Sequence, residues 1–137
     1  MNIRKFSMDD YESVIALWAA APGMSIGKSE SRAGIQRILE RDANVFLVVE
    51  HEGEIVGAIM GLDDGRRGWI NHLAVSKAWQ GHGLGRQLLR EVEERLQAQG
   101  CVKINLLVAG SNADVQQFYR QLGYENDDVI FMEKWLL

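Results

Sequence analysis

One cysteine, one proline and no long apolar run mark this 137-residue sequence, and each scarcity removes a class of protein. A lone Cys101 forbids an intrachain disulfide and a cysteine metal cluster. As a nucleophile it would need a base and an orienting group, and its neighbours supply neither, so it reads as a small apolar residue at the start of a strand. With Pro22 the only proline, no proline-rich linker exists. The longest apolar stretches, such as Val45 to Val49, fall far short of the ~20 residues that span a bilayer, and no apolar signal region opens the chain. A cytoplasmic location is the default expectation, with no membrane partner.

Excess positive charge is missing too. Fifteen Lys and Arg stand against nineteen Asp and Glu, a net charge of −4, whereas nucleic-acid binding leaves a basic face. No nucleic-acid partner is expected. The three histidines, His51, His72 and His82, lack close metal-ligand spacing, so no metal is expected. A composition 47% hydrophobic and 25% charged fits one globular domain over 1–137.

Periodicity orders the elements. Residues 2–6 read as a strand, and Ser7 with Asp10 three residues on reads as a helix N-terminal cap. Tyr11, Val14, Ile15 and Trp18 then share one helical face. Ala21-Pro22-Gly23 breaks that helix, and a loop through Lys28 leads to a second, with Ile35, Ile38 and Leu39 on its stripe. Val45 to Glu50, Ile55 to Leu62 and Trp69 to Val75 read as strands joined by two hairpin turns, His51 to Glu54 and Asp63 to Gly68. A helix follows with Leu84, Leu88, Leu89, Val92 and Leu96 on one side, ended by Gly100. Val102 to Val108 reads as a strand, Asn112 to Leu122 as a helix, and Val129 to Leu136 as a last strand.

Between the third hairpin strand and the long helix lies Gln80-Gly81-His82-Gly83-Leu84-Gly85-Arg86. Glycines let consecutive backbone N–H groups approach an anion, and the following helix adds its positive end, so the loop reads as a phosphate cradle. Its spacing sorts the phosphates. A P-loop needs GxxxxGK[ST], and Arg86-Gln87 after Gly85 supplies neither the lysine nor the hydroxyl. A dinucleotide fingerprint needs GxGxxG in a first βαβ unit, and here Arg86 stands where the third glycine would fall, past mid-chain.

Leu73-Ala74-Val75 followed by Gln80-Gly81-His82-Gly83-Leu84-Gly85 and Leu88-Leu89 resembles the acetyl-CoA signature [RQ]xxGx[GA] of the GNAT superfamily of N-acyltransferases. Downstream, Asn112, Phe118-Tyr119 and Gly123-Tyr124 resemble its second signature, and the likeness covers nearly all of the chain, which resembles small bacterial members of the YpeA type. The resemblance implies an α/β fold with a mixed sheet in the order β-α-α-β-β-β-α-β-α-β, whose central parallel strands splay apart.

It also implies roles. The backbones of Leu73, Ala74 and Val75 would hydrogen-bond the pantetheine arm of acetyl-CoA, the cosubstrate, in the gap between the splayed strands. N–H groups from His82 through Arg86, with side-chain donors from Gln80 or Arg86, would hold the pyrophosphate. His82 also reads as a solvated loop histidine. Asn112 would cap its helix and meet the pantetheine arm, and Tyr119 would protonate the departing thiolate, although Val115, Phe118, Tyr119 and Leu122 also make a plain core stripe.

The general base is not legible. The two positions where the family usually carries a glutamate hold Asn71 and Leu107, neither able to accept a proton. Asn71 could orient a water or the amine. His72, alternating to the other sheet face, reads as packed, and Glu30, Asp63 and Asp64 read as loop carboxylates near the acceptor region. Met24, Ser25 and Glu30 are substrate contacts only by analogy. The expected activity is transfer of an acetyl group to an amine of a small molecule or protein by a monomer or homodimer; a non-catalytic acyl-CoA-binding or sensing domain is the alternative.

Overall fold

The computed structural model describes residues 1–137, which separate into two compact units, Met1–Leu107 and Val108–Leu137. The first holds β1 (Asn2–Lys5), α1 (Tyr11–Ala20), α2 (Arg32–Arg41), β2 (Phe46–His51), β3 (Glu54–Asp63), β4 (Gly68–Val75), α3 (Leu84–Ala98) and β5 (Ile104–Leu106). The second holds α4 (Ala113–Gln121). The strands form one sheet in the order β1-β2-β3-β4-β5, antiparallel throughout except for the parallel pair β4·β5. This is the expected mixed α/β architecture.

Local chemistry sets the joints. Ser7 N–H donates to Asp10 Oδ2 at 2.9 Å in a capping box. Arg4 grips the same carboxylate with Nη1 at 2.8 Å and Nη2 at 2.9 Å while its Nε donates to Glu50 at 2.6 Å. Asp10 is buried, and this fork tolerates that burial. The β2–β3 hairpin turns through Glu52 (φ 50°) and Gly53 (φ 80°), a pair of left-handed residues whose twist suits a two-residue turn.

The two faces of the sheet are covered differently. On one, Trp18 of α1 stacks on Phe46, which stacks in turn on Phe6, and Val14, Ile35, Val48, Ala58, Met60 and Ala74 complete the cluster. On the other, α3 lies close because glycines receive it. A Cβ on Gly57 would fall 3.2 Å from Leu88 Cδ1, one on Gly61 3.2 Å from Val92 Cγ1, and one on Gly68 would collide with Leu96. Leu88, Val92 and Leu96 are spaced i, i+4, i+8, so one helix stripe steps along three glycines.

Two expectations need correction. β5 covers only Ile104–Leu106, because it pairs with no more of β4 than Gly68–Ile70. Residues 129–136 form no strand. Their apolar pattern is only half of what a strand needs, since backbone N–H and C=O groups require a ladder partner, and the sheet's ladders end with five strands. Val129, Ile130, Phe131, Met132 and Leu136 are exposed there.

In the second unit, Asn112 caps α4, its side chain accepting from Val115 N–H at 3.4 Å. Gly123 (φ 93°) closes the helix, with Gly123 N–H bonded to the Arg120 carbonyl and Tyr124 N–H to that of Tyr119. Tyr119 is buried, its ring set edge-on to Phe118 and to Tyr124.

Candidate active site

β4 is where the sheet opens. Met60 of β3 pairs with His72, but the next residue, Gly61, pairs with Ile70, so Asn71 is an extra residue bulged out of the ladder. Pairing of β4 to β5 ends at Ile70, one residue before the bulge. A bulge bends its strand and increases its twist, so β4 leaves β5 at this point. Asn71 to Val75 therefore present a backbone edge that β5 does not occupy. Leu73, Ala74 and Val75 lie on it.

The chain then passes through Ser76 and a short turn to the glycine loop. Gln80 Nε2 donates to the Val75 carbonyl at 3.1 Å, tying the end of the open edge to the start of the loop. That bond commits one of its amide protons within the loop. His82 Nδ1 lies 3.2 Å from the carbonyls of both Trp79 and Gln80, and its ring sits 5.3 Å from that of Trp79. It is exposed, as expected of a loop histidine, but it also braces the loop. Gly81 (φ 83°) and Gly83 (φ 79°) take the left-handed conformations that glycine tolerates.

α3 begins at Leu84 with Gly83 as its N-cap and no side-chain cap bond. The N–H groups of Leu84, Gly85 and Arg86 precede the first intrahelical partner, the bond from Gln87 N–H to the Gly83 carbonyl. Three donors and a helix dipole thus stand at the loop without a capping side chain, an arrangement that favours an anion. Arg86 is exposed on the first turn. Asn112 and Tyr119 lie in the second unit. Burial pushes the Tyr119 phenol up to about 12, so it stays protonated at neutral pH.

Beside the bulge lies a pair that sequence reasoning missed. His72 Nε2 is 3.0 Å from Glu30 Oε1, with side-chain exposures of 13% and 12%. Glu30 Oε2 accepts from Ser29 Oγ at 2.6 Å and from Gly27 N–H at 3.2 Å. Burial alone would raise the Glu30 carboxyl; bonds from Ser29, Gly27 and His72 outweigh it and hold the group below the usual carboxylate range. Trp18 lies against the imidazole, centroids 4.6 Å apart. No sequence signal marks the bulge that brings His72 to this face.

The other candidates resolve as structure. Asp64 accepts from the N–H groups of Arg66 and Arg67 and from Trp69 Nε1, which pull its carboxyl down to about 2. Asp63 accepts from Gly65 N–H and Gln99 Nε2. Both build the β3–β4 turn. Cys101 is buried, its thiol pushed up to about 11 mainly by burial, which keeps it neutral and inert.

A sheet that parts beside an uncapped glycine-rich helix start defines a class, and comparison with known proteins agrees: residues 11–124 match the sequence model of the Acetyltransferase (GNAT) family, and the chain belongs to it. An acetyltransferase of Sodalis glossinidius is 41% identical over 138 residues, spanning 100% of this chain and 96% of that protein. One of Pectobacterium atrosepticum is 39% identical over 137 residues, with the same coverage. Among solved structures, the PaiA N-acetyltransferase of Thermoplasma acidophilum in complex with coenzyme A superposes with a TM-score of 0.83 at 19% identity, covering 94% of this chain and 92% of that one. The chain is thus an acetyltransferase by family, and it shares the fold of the PaiA enzyme.

Proposed function

We propose that this chain transfers an acetyl group from acetyl-CoA to an amine of a small molecule or protein, by direct attack in a ternary complex. The observation that carries the proposal is the parting of β4 from β5 at Ile70, next to the uncapped start of α3. In this reading the pantetheine arm bonds along Leu73 to Val75 as an added strand, and the N–H groups of His82 through Arg86 hold the pyrophosphate. Backbone amides take the oxyanion as the amine adds to the thioester. Asn112 contributes an amide to the arm, and Tyr119, kept protonated by its burial, hands a proton to the departing sulfur. Asn71 orients the amine or a water at the bulge.

Thermal denaturation with CoA, acetyl-CoA, ATP and NAD tests the donor. A ligand at 100 times its Kd stabilises by about 2.7 kcal/mol, which raises Tm by several degrees in a domain of this size. A shift with the CoA pair alone is expected. A shift with ATP or NAD and none with CoA would remove this function.

A further inference from the structure

We infer that His72 is the proton acceptor for the attacking amine and that Glu30 is its positioning residue; this deepens the N-acetyltransferase reading and rests on it. Neither family-typical glutamate position can do this work, since they hold Asn71 and Leu107. The bulge at Asn71 instead presents His72, two residues beyond the last β4·β5 pair, to the face covered by α1 and the turn before α2.

The pair is built for the task. An ionised Glu30 can only accept, so the proton on a neutral His72 sits on Nε2 and the lone pair on Nδ1. Ser29 Oγ and Gly27 N–H hold the other carboxylate oxygen, which fixes the direction of the Glu30 bond. Facing the imidazole are Glu30 from the turn before α2, Trp18 from α1 and, across the ladder, Met60 of β3; Tyr11 of α1 donates its hydroxyl to the Glu30 carbonyl at 2.7 Å. Glu30 is the charged group of this set.

The step balances as follows. An alkylammonium gives one proton to His72 Nδ1. The freed amine nitrogen adds to the thioester carbonyl, forming the C–N bond. When the C–S bond breaks, its electron pair stays on sulfur, and the second proton lost from nitrogen balances the thiolate as free thiol. His72 then returns its proton to solvent. The sum is ammonium plus thioester giving amide, thiol and one proton.

The test is the pH profile of acetyl-CoA turnover with the best amine of a panel, alongside the CoA-induced Tm shift. In His72→Gln we expect kcat to fall about 100-fold or more, the acidic limb of the profile to disappear and the Tm shift to persist. In Glu30→Gln, which loses the charge but keeps an acceptor, kcat should fall with the KM for acetyl-CoA unchanged. Added imidazole should partly restore His72→Ala. A wild-type profile retained by both His72→Gln and Glu30→Gln overturns the inference while leaving the acetyltransferase reading intact. Wild type that binds CoA but acetylates no amine would instead overturn that reading, and the inference with it.

Discussion

Ile70 and His72, two residues apart on β4, face opposite sides of the sheet. Ile70 stands opposite Gly61, whose Cβ direction meets Val92 of α3, whereas His72 meets Trp18 of α1. Regular alternation would place both on one face; the extra residue, Asn71, reverses it. Deleting Asn71 should remove the bulge while leaving His72 to Val75 opposite Met60 to Gly57 and on their present faces, so that β4 no longer bends away from β5. We expect a folded protein that loses the CoA-induced shift, both read by thermal denaturation. An unchanged response to CoA would mean that the bulge does not shape the donor edge.

Two glycine substitutions should fail for different reasons. Gly83→Ala adds a methyl with nothing within 4 Å, so its cost is backbone strain at φ 79°, about 1–2 kcal/mol. Gly61→Ala drives a methyl to 2.8 Å from the Val45 carbonyl oxygen and 3.2 Å from Val92, an overpacking cost of about 1–3 kcal/mol. Both should lower Tm, but Gly83→Ala alone should weaken CoA binding beyond its effect on stability, as read by titration calorimetry.

Arg4 holds the Asp10 carboxyl below its ordinary value, 3.8, with burial opposing. A depressed folded pKa contributes stability that is full above the unfolded value and is lost as pH falls through the folded one. Wild-type Tm should thus lose this contribution below about pH 4. Asp10→Asn should cost about 1–3 kcal/mol at neutral pH and show a shallower acid decline. Parallel acid declines in the two proteins would contradict this account of the fork.

Tyr119→Phe removes a phenol that burial keeps protonated up to about pH 12. If that phenol hands its proton to the sulfur, kcat should fall about 100-fold while acetyl-CoA affinity holds. Equal turnover would reduce Tyr119 to a packing residue of α4.

Much of this was legible in sequence because it depends on local patterns. The periods of α1 and α3, the Asn112 cap and the glycine loop all follow from residues within a few positions of one another. What was hidden depends on pairing between distant segments. The bulge exists only in the register of β4 against β3, and Glu30 meets the packed His72 across 42 positions of sequence. Residues 129–136 fail in the same way, since their strand-like pattern carries no information about a partner.

The most direct test is thiol release from acetyl-CoA across a panel of primary amines, with mass spectrometry of each acceptor. We expect amine-dependent release of free CoA matched by an acetylated amine. CoA binding without an acetylated product from any small-molecule or peptide amine would contradict transfer and leave a domain that only binds acyl-CoA.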